Sequence, residues 1–158
     1  MSKPELPQVL ITERAAADLR RHARKAHPYE TGGILLGVQT DARPWIAGVI
    51  EISTPDRGRS HYRLPRGTTT TAVRDARKTD PRLGYLGDWH SHPADVGPSP
   101  TDRATMRRLS LRSPRIGIVL IVVRHGADGH WLDVRETSLP LLRCREAITT
   151  GDLPPLRA

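Results

Sequence analysis

Apolar residues first recur at the spacing of one helical face and later fall into short runs of strand length. Between residues 12 and 26, arginine and lysine separate apolar positions that share one face: Ala15, Ala16, Leu19 and Ala23. This spacing predicts an amphipathic helix over 12–26, with Thr12 as its N-cap and Pro28 just beyond its end. The next run, residues 34–38, is short, apolar and flanked by glycines, which predicts a buried strand.

The rest of the chain continues this alternation. Strands are predicted over 45–53, 83–91, 116–123 and 130–137, and helices over 69–78 and 100–112. Loops are predicted over 54–66 and 93–98, and a hairpin turn over 126–129. These elements indicate an α/β (α+β) fold, with one domain over residues 1–150 built on a central sheet. The proline-rich residues 151–158 are predicted to form a flexible tail.

The composition is that of one folded domain without a disulfide. Only 4% of the 158 residues are aromatic and none is phenylalanine, so the core has to be aliphatic. Cys144 is the only cysteine, which fits a reducing compartment. Residues 1–24 lack the apolar segment of a signal peptide, and no apolar run approaches the roughly 20 residues that span a bilayer. A cytoplasmic location without a membrane partner is therefore expected.

The formal net charge of +8 is compatible with a nucleic-acid partner. However, the arginines are scattered from Arg14 to Arg157, and no stacking aromatics accompany them. A solvated basic surface that steers acidic partners is the simpler interpretation. Nucleic acid is therefore not the expected partner.

The candidate chemistry lies at the end of the predicted strand over 83–91. His90 and His92 are two residues apart, so on a strand both imidazoles point to the same face. Asp102 falls in the first turn of the next predicted helix, and a short loop can return it towards the histidines. Two histidines and one carboxylate leave a fourth position open, which is typical of catalytic zinc. The alternative is a pair of unrelated surface histidines.

Two further residues have both a chemical and a structural interpretation. Ser99 and Asp102 match a helix capping box, in which they only start the helix. Glu30 precedes two glycines that allow close approach, and it is the candidate for the proton transfers that a hydrolase needs. Its alternative is a solvent-facing side chain at a helix end.

Together these residues resemble the JAMM/MPN (JAB) zinc metallopeptidases. The shared motif consists of Glu30 with Gly32, Gly33 and Gly37, then His90-Ser91-His92-Pro93, then Ser99-x-x-Asp102. The resemblance extends over about residues 9–139 and is greatest to the small bacterial members, which are related to deubiquitinase-like enzymes. Some of those accompany E1-like and E2-like proteins in phage-defence operons.

The resemblance implies a central curved mixed sheet flanked by helices and one Zn²⁺ ion held by His90, His92 and Asp102. It also implies that Glu30 acts as general base and acid on a bound water and that Ser99 stabilises the oxyanion. The implied reaction is hydrolysis after the C-terminal glycine of a ubiquitin-like protein. The partner would be that protein or its conjugate, bound through an extended tail that adds to a sheet edge, with E1-like or E2-like proteins as further partners.

Six residues separate His92 from Ser99, one fewer than the family's commonest spacing. Only Ser113 and Pro114 separate the helix over 100–112 from the next strand, so the large insertions of eukaryotic deubiquitinases are missing there. A bacterial ubiquitin-like substrate is therefore expected rather than polyubiquitin. The alternatives are an iron oxygenase with the same ligand types, an inert scaffold of the same fold, and a DNA-associated member of the superfamily.

Overall fold

The computed structural model describes residues 7–40, 43–52, 67–112, 117–138 and 141–156. These residues form three helices: α1 (Glu13–Ala26), α2 (Thr68–Thr79) and α3 (Pro100–Arg112). They also form eight strands: β1 (Gln8–Thr12), β2 (Gly32–Gln39), β3 (Pro44–Glu51), β4 (Gly84–His92), β5 (Val119–Gly126), β6 (Gly129–Ser138), β7 (Leu141–Cys144) and β8 (Glu146–Thr150).

Every helix and strand predicted from the sequence is present, with shifts of a few residues at the ends. The Thr12 hydroxyl caps α1 by accepting a hydrogen bond from the Ala15 N–H at 3.1 Å. The sequence analysis missed the three shortest strands, which are β1, β7 and β8. The predicted loop over 54–66 and the residues at 113–116 lie outside the described residues.

All eight strands form one mixed sheet in the order β7-β6-β5-β4-β2-β3-β1-β8. The chain pairs with β6 through β7 and, one residue later, with β1 through β8, so the two edges of the sheet come close together. The Arg145 N–H strengthens this junction by donating to the Val134 carbonyl at 2.9 Å. The result is a curved, nearly closed sheet, as predicted.

Helix α1 packs on one face of this sheet, where the main hydrophobic core lies. Leu19 and three alanines of α1 are buried against residues from β1, β3, β4, β5 and β6. Trp89 is the largest buried side chain of this cluster, and its indole N–H donates to the Ile50 carbonyl at 3.2 Å. The core is otherwise aliphatic, as the absence of phenylalanine requires.

Helices α2 and α3 cover the opposite face. Met106 of α3 packs on Leu120 and Val122, whereas α2 packs on a cluster formed by Ile34, Leu36 and Ile52. None of the helices in the described ranges is long and apolar enough to cross a membrane.

Two glycines hold the central strands close to their neighbours. A Cβ at Gly33 of β2 would lie 1.8 Å from the Ile50 carbonyl oxygen of β3. A Cβ at Gly87 of β4 would lie 1.8 Å from the Val119 carbonyl oxygen of β5. Both distances are far below van der Waals contact, so only glycine permits this packing beside the candidate site.

Candidate active site

The end of β4 presents both predicted histidines on the face that carries α3. Side chains alternate along the strand, so Trp89 enters the α1 core while His90 and His92 point the other way. Both histidines are only 7% exposed, which excludes the alternative of unrelated surface histidines. Their ring centroids lie 4.8 Å apart, so the two imidazoles converge.

The carboxylate of Asp102 completes this group from the first turn of α3. Its Oδ2 lies 3.2 Å from His90 Nε2 and 3.8 Å from His92 Nε2. Ligand atoms around a tetrahedral zinc with bonds of about 2.0–2.1 Å lie about 3.4 Å apart. The three side chains therefore fit a metal ion of this size, and their nitrogen and oxygen donors are types that zinc accepts.

A hydrogen bond to the backbone orients His92. Its Nδ1 lies 2.9 Å from the Val96 carbonyl oxygen, so the Nδ1–H donates there and the lone pair of Nε2 faces the group. Burial lowers the pKa of His92, despite the raising effect of that hydrogen bond. The imidazole is therefore neutral near pH 7, which is the state that binds a metal.

The predicted capping box and the predicted ligand use the same oxygen. The Ser99 N–H donates to Asp102 Oδ2 at 2.7 Å, and the Asp102 N–H donates to Ser99 Oγ at 3.1 Å. Burial acts to raise the pKa of Asp102, but hydrogen bonds from His90 and Ser99 outweigh it and lower the pKa to about 2. The start of α3 thus holds an ionised carboxylate in place, and the six-residue loop is long enough to bring it there.

Glu30 lies beside the three candidate ligands rather than among them. Its Oε1 is 3.9 Å from His92 Nε2, and the residue is only 4% exposed, which excludes the solvent-facing alternative. Burial raises the pKa of Glu30 to about 7, and the neighbouring His90 lowers it less than burial raises it. Near neutral pH this carboxyl group therefore exists in both protonation states, as a proton shuttle requires.

Hydrogen bonds with Ser91, the residue between the two histidines, hold the segment that carries Glu30. The Ser91 side chain points to the α1 side, where its Oγ accepts a hydrogen bond from the Thr31 N–H at 3.0 Å. The Ser91 N–H in turn donates to the Thr31 carbonyl at 2.8 Å. The Thr31 hydroxyl donates to Glu51 at 2.6 Å, and Glu51 pairs with His22 at 2.8 Å. Glu30 is therefore anchored to the strand that carries both histidines.

Sequence reasoning missed the residue that holds the loop after His92. Arg124 of β5 lies opposite His92 in the sheet register, and its guanidinium donates to the Asp95 side chain at 3.0 Å and the Asp95 carbonyl at 2.8 Å. It also donates to Asp133 at 2.9 Å and lies 4.5 Å from the centre of the Trp131 ring. Because Asp95 precedes Val96, Arg124 fixes the carbonyl that orients His92.

A partly buried carboxyl group on β4 was also missed. Asp88 shares the face of His90, and the Tyr85 hydroxyl donates to it at 2.6 Å. Burial raises the pKa of Asp88, although the Tyr85 hydrogen bond opposes the shift. The sequence signal that could have found Asp88 is its position two residues before His90, which puts both side chains on the same face of the strand.

Comparison with known proteins agrees with this geometry. Residues 12–136 match the family described as prokaryotic homologues of the JAB domain. A probable metalloprotease of Sinorhizobium fredii is 29% identical over 139 residues, which are 80% of this chain and 82% of the relative. A CD-NTase/cGAS isopeptidase of Vibrio cholerae is 34% identical over 116 residues, which are 70% of each chain. A Desulfitobacterium hafniense protein solved in solution has a TM-score of 0.73 at 23% identity and covers 92% of this chain and 94% of its own, and it shows the same fold.

A curved mixed sheet with a buried His-His-Asp group and a neighbouring glutamate defines a JAMM-type metallopeptidase. The family match covers most of the chain, and the chain belongs to the prokaryotic homologues of the JAB domain. The family predicted from the sequence is confirmed by this match. Membership in the family implies a bound metal.

Proposed function

We propose that this enzyme is a zinc-dependent isopeptidase or peptidase that cleaves after the C-terminal glycine of a ubiquitin-like protein. The observation that carries the catalytic part is the convergence of His90, His92 and Asp102 beside the buried Glu30. The substrate class is supported by the family resemblance and by the Vibrio cholerae relative, whose name is that of an isopeptidase.

In this proposal His90, His92 and Asp102 hold one zinc ion through two nitrogens and one oxygen. When bound, zinc supplies Lewis acidity, which polarises a carbonyl and lowers the pKa of coordinated water to about 7. Asp102 is already ionised and His92 is neutral, so these two side chains need no proton change to bind it.

Glu30 moves the proton. Its carboxylate takes a proton from the attacking water, and the resulting acid delivers that proton to the amine that leaves when the amide bond breaks. Because its pKa is about 7, neither transfer is strongly uphill near neutral pH. Ser99 Oγ accepts from the Asp102 N–H, which leaves its own hydroxyl hydrogen available for the oxyanion of the tetrahedral intermediate.

The substrate tail meets an interior part of the sheet. Strand β4 pairs with β2 on one side and β5 on the other, whereas the edges of the sheet, within the part of the chain that the structure describes, are β7 and β8. Strand β2 pairs with β4 only as far as Gly32 opposite His90, so its ladder ends just before His92. We propose that the tail approaches at this end of the strands, and its addition to a sheet edge stays a prediction.

The direct test is cleavage of two substrates that share one ubiquitin-like protein. One carries a peptide extension after its C-terminal glycine, and the other is joined through that glycine to a lysine side chain. Mass measurement should show a product that ends at the glycine, formed by zinc-loaded protein and not by the Glu30→Gln variant. Cleavage at other positions, or cleavage that persists in Glu30→Gln, would contradict the proposal.

The proposed setting is a bacterial ubiquitin-like or phage-defence pathway, with E1-like or E2-like proteins as further partners. The name of the Vibrio cholerae relative supports a protein conjugate as substrate. The metalloprotease relative favours an enzyme over the inert scaffold. The DNA-associated alternative, the cytoplasmic location and the flexible tail over 151–158 stay predictions.

A further inference from the structure

Three histidines meet on the α1 face of the sheet, opposite the active site. His27 follows the last residue of α1, His125 lies near the end of β5, and His130 lies at the start of β6. His125 and His130 are direct partners in the antiparallel ladder, so their side chains stand on the same face. The register of β5 with β4 places this group at the same end of the sheet as His92.

The three imidazoles are close enough to share one ion. The ring centroid of His125 lies 4.4 Å from the ring centroid of His27 and 4.8 Å from that of His130. One nitrogen from each ring lies within 4.8 Å of the others, which is the same limit that the active-site group meets. His27 is exposed and the other two are partly exposed, so an ion can enter from solvent.

We propose that His27, His125 and His130 form a second metal site that takes a divalent zinc, nickel or copper ion. Imidazole nitrogen is a preferred ligand for these ions, and three protein ligands leave a further position for water. His27 also lies at the C-terminal end of α1, where the helix dipole favours a cation. Arg24, one turn earlier, opposes this attraction, so the site binds more weakly than the carboxylate-containing one.

Occupation of this site would join the end of α1 to the β5–β6 hairpin. His27 is three residues before Glu30, and His125 directly follows Arg124. The metal therefore acts as a clip between two segments that each lead into the active site. Because an ion that binds only the folded state stabilises it, saturation of this site should raise the melting temperature by roughly 5 °C.

Zinc titration of the full chain, followed by calorimetry, separates the two sites. Wild-type protein should bind two equivalents, and His125→Gln combined with His130→Gln should bind one. Asp102→Ala should also bind one, which then belongs to the surface site alone. The affinity of the surface histidines for zinc should fall at least about 100-fold in the double variant, because loss of two ligands costs more than loss of an outer contact.

Lys25→Gln is the matched control, since it changes an exposed side chain in the last turn of α1 without removing an imidazole. It should keep both equivalents. Retention of untagged protein on a nickel resin gives a second measurement. Retention should fall in the double variant, and it should also fall in the single variant His27→Gln. A double variant that keeps the second equivalent, or a wild type that binds only the ion lost in Asp102→Ala, would overturn the proposal.

Discussion

The two histidine groups of this molecule lie at one end of a single sheet and differ in almost everything else. The active-site pair is buried and shares its centre with Asp102, whereas the other group consists of three imidazoles without a carboxylate and with His27 exposed. Glu30 lies 3.9 Å from the first group, and the second has no such acid among its three members. Side chains that converge as metal ligands are therefore not enough to make a hydrolase, which also needs a group that moves protons.

What the active site adds is preorganisation. Asp102 is fixed by the Ser99 N–H, and His92 is fixed by the Val96 carbonyl. Such outer contacts hold ligands before the metal arrives, so less order has to be created on binding. Outside the β5–β6 ladder, the described hydrogen bonds from the three surface histidines to other residues join the His130 carbonyl to Arg20 and the His27 N–H to the Ala23 carbonyl. Both hold the backbone and not the ring.

The largest effect should follow from removing the carboxylate that only the buried group has. Asp102→Ala should reduce zinc affinity by more than about 100-fold and lower hydrolysis to background, because it deletes a ligand. A competition titration with a chelator and a peptidase assay measure the two effects. Asp128→Ala, in the exposed β5–β6 turn, is the control and should change neither. A zinc equivalent that persists when Asp102→Ala is combined with His125→Gln and His130→Gln would mean that another residue is the third ligand.

Loss of the proton shuttle should come next. Glu30→Gln should lower kcat by about 10²–10⁴-fold with unchanged zinc content, because the amide cannot accept the proton. Glu13→Gln, an exposed glutamate in the first turn of α1, is the matched control. Parallel measurement of metal content and kcat decides the matter, since a variant that loses zinc would make Glu30 a ligand.

Removal of the Ser99 hydroxyl should lower kcat less than the two changes above, and it should also lower the stability of the fold. Ser99→Ala should lower kcat by about 10²-fold through the lost oxyanion donor, and the lost helix cap should cost about 1 kcal/mol. Ser99→Thr keeps a hydroxyl and should recover part of both. If Ser99→Ala loses stability alone, with an unchanged kcat, Ser99 is only a cap.

Arg124→Gln should weaken the active site without touching a ligand. Release of Asp95 frees the Val96 carbonyl, so zinc affinity should fall by about 10–100-fold. A competition titration with a chelator measures the affinity, and the exposed Arg143→Gln on β7 is the control. Unchanged zinc affinity in Arg124→Gln would show that the loop holds His92 by itself.

The smallest effect concerns Asp133, the buried partner of Arg124. Burial acts to raise the pKa of Asp133, but hydrogen bonds from Arg135 and Arg124 outweigh it, so the pKa lies below its usual value. The ionised form therefore stabilises the fold above the unfolded pKa of about 3.9, and this contribution is lost as the pH falls through the lower folded pKa. In metal-free protein, Asp133→Asn should cost about 2 kcal/mol at pH 7.

Denaturant unfolding of both proteins across pH 2–7 checks this contribution. The difference between wild type and Asp133→Asn should be constant at neutral pH and shrink below about pH 4. A difference that is independent of pH would place the stabilising interaction elsewhere.

The sequence predicts those parts of the molecule that depend on short-range pattern. His90, His92 and Asp102 lie within thirteen residues, so strand alternation and one short loop bring them together. Glu30 is sixty residues away, and its place beside His92 followed from the family resemblance rather than from spacing. Its burial depends on the pairing of β2 with β4.

The features that were missed depend on which distant strands become neighbours. Arg124 reaches the loop after His92 only because β5 lies parallel beside β4. The surface histidines come from α1, β5 and β6, and nothing in the chain marks His27 as a neighbour of His125. Strands β1 and β8 are five residues each and gain stability from pairing with each other, which local periodicity does not reveal.

Zinc-edge anomalous diffraction from crystals of the zinc-loaded protein is the most direct test of whether His90, His92 and Asp102 hold the ion. We expect a strong peak bonded at about 2.0–2.2 Å to His90, His92 and Asp102, with the Glu30 carboxylate outside bonding distance. A peak bonded to Glu30, or density in which the three side chains leave the ion unbound, would contradict it.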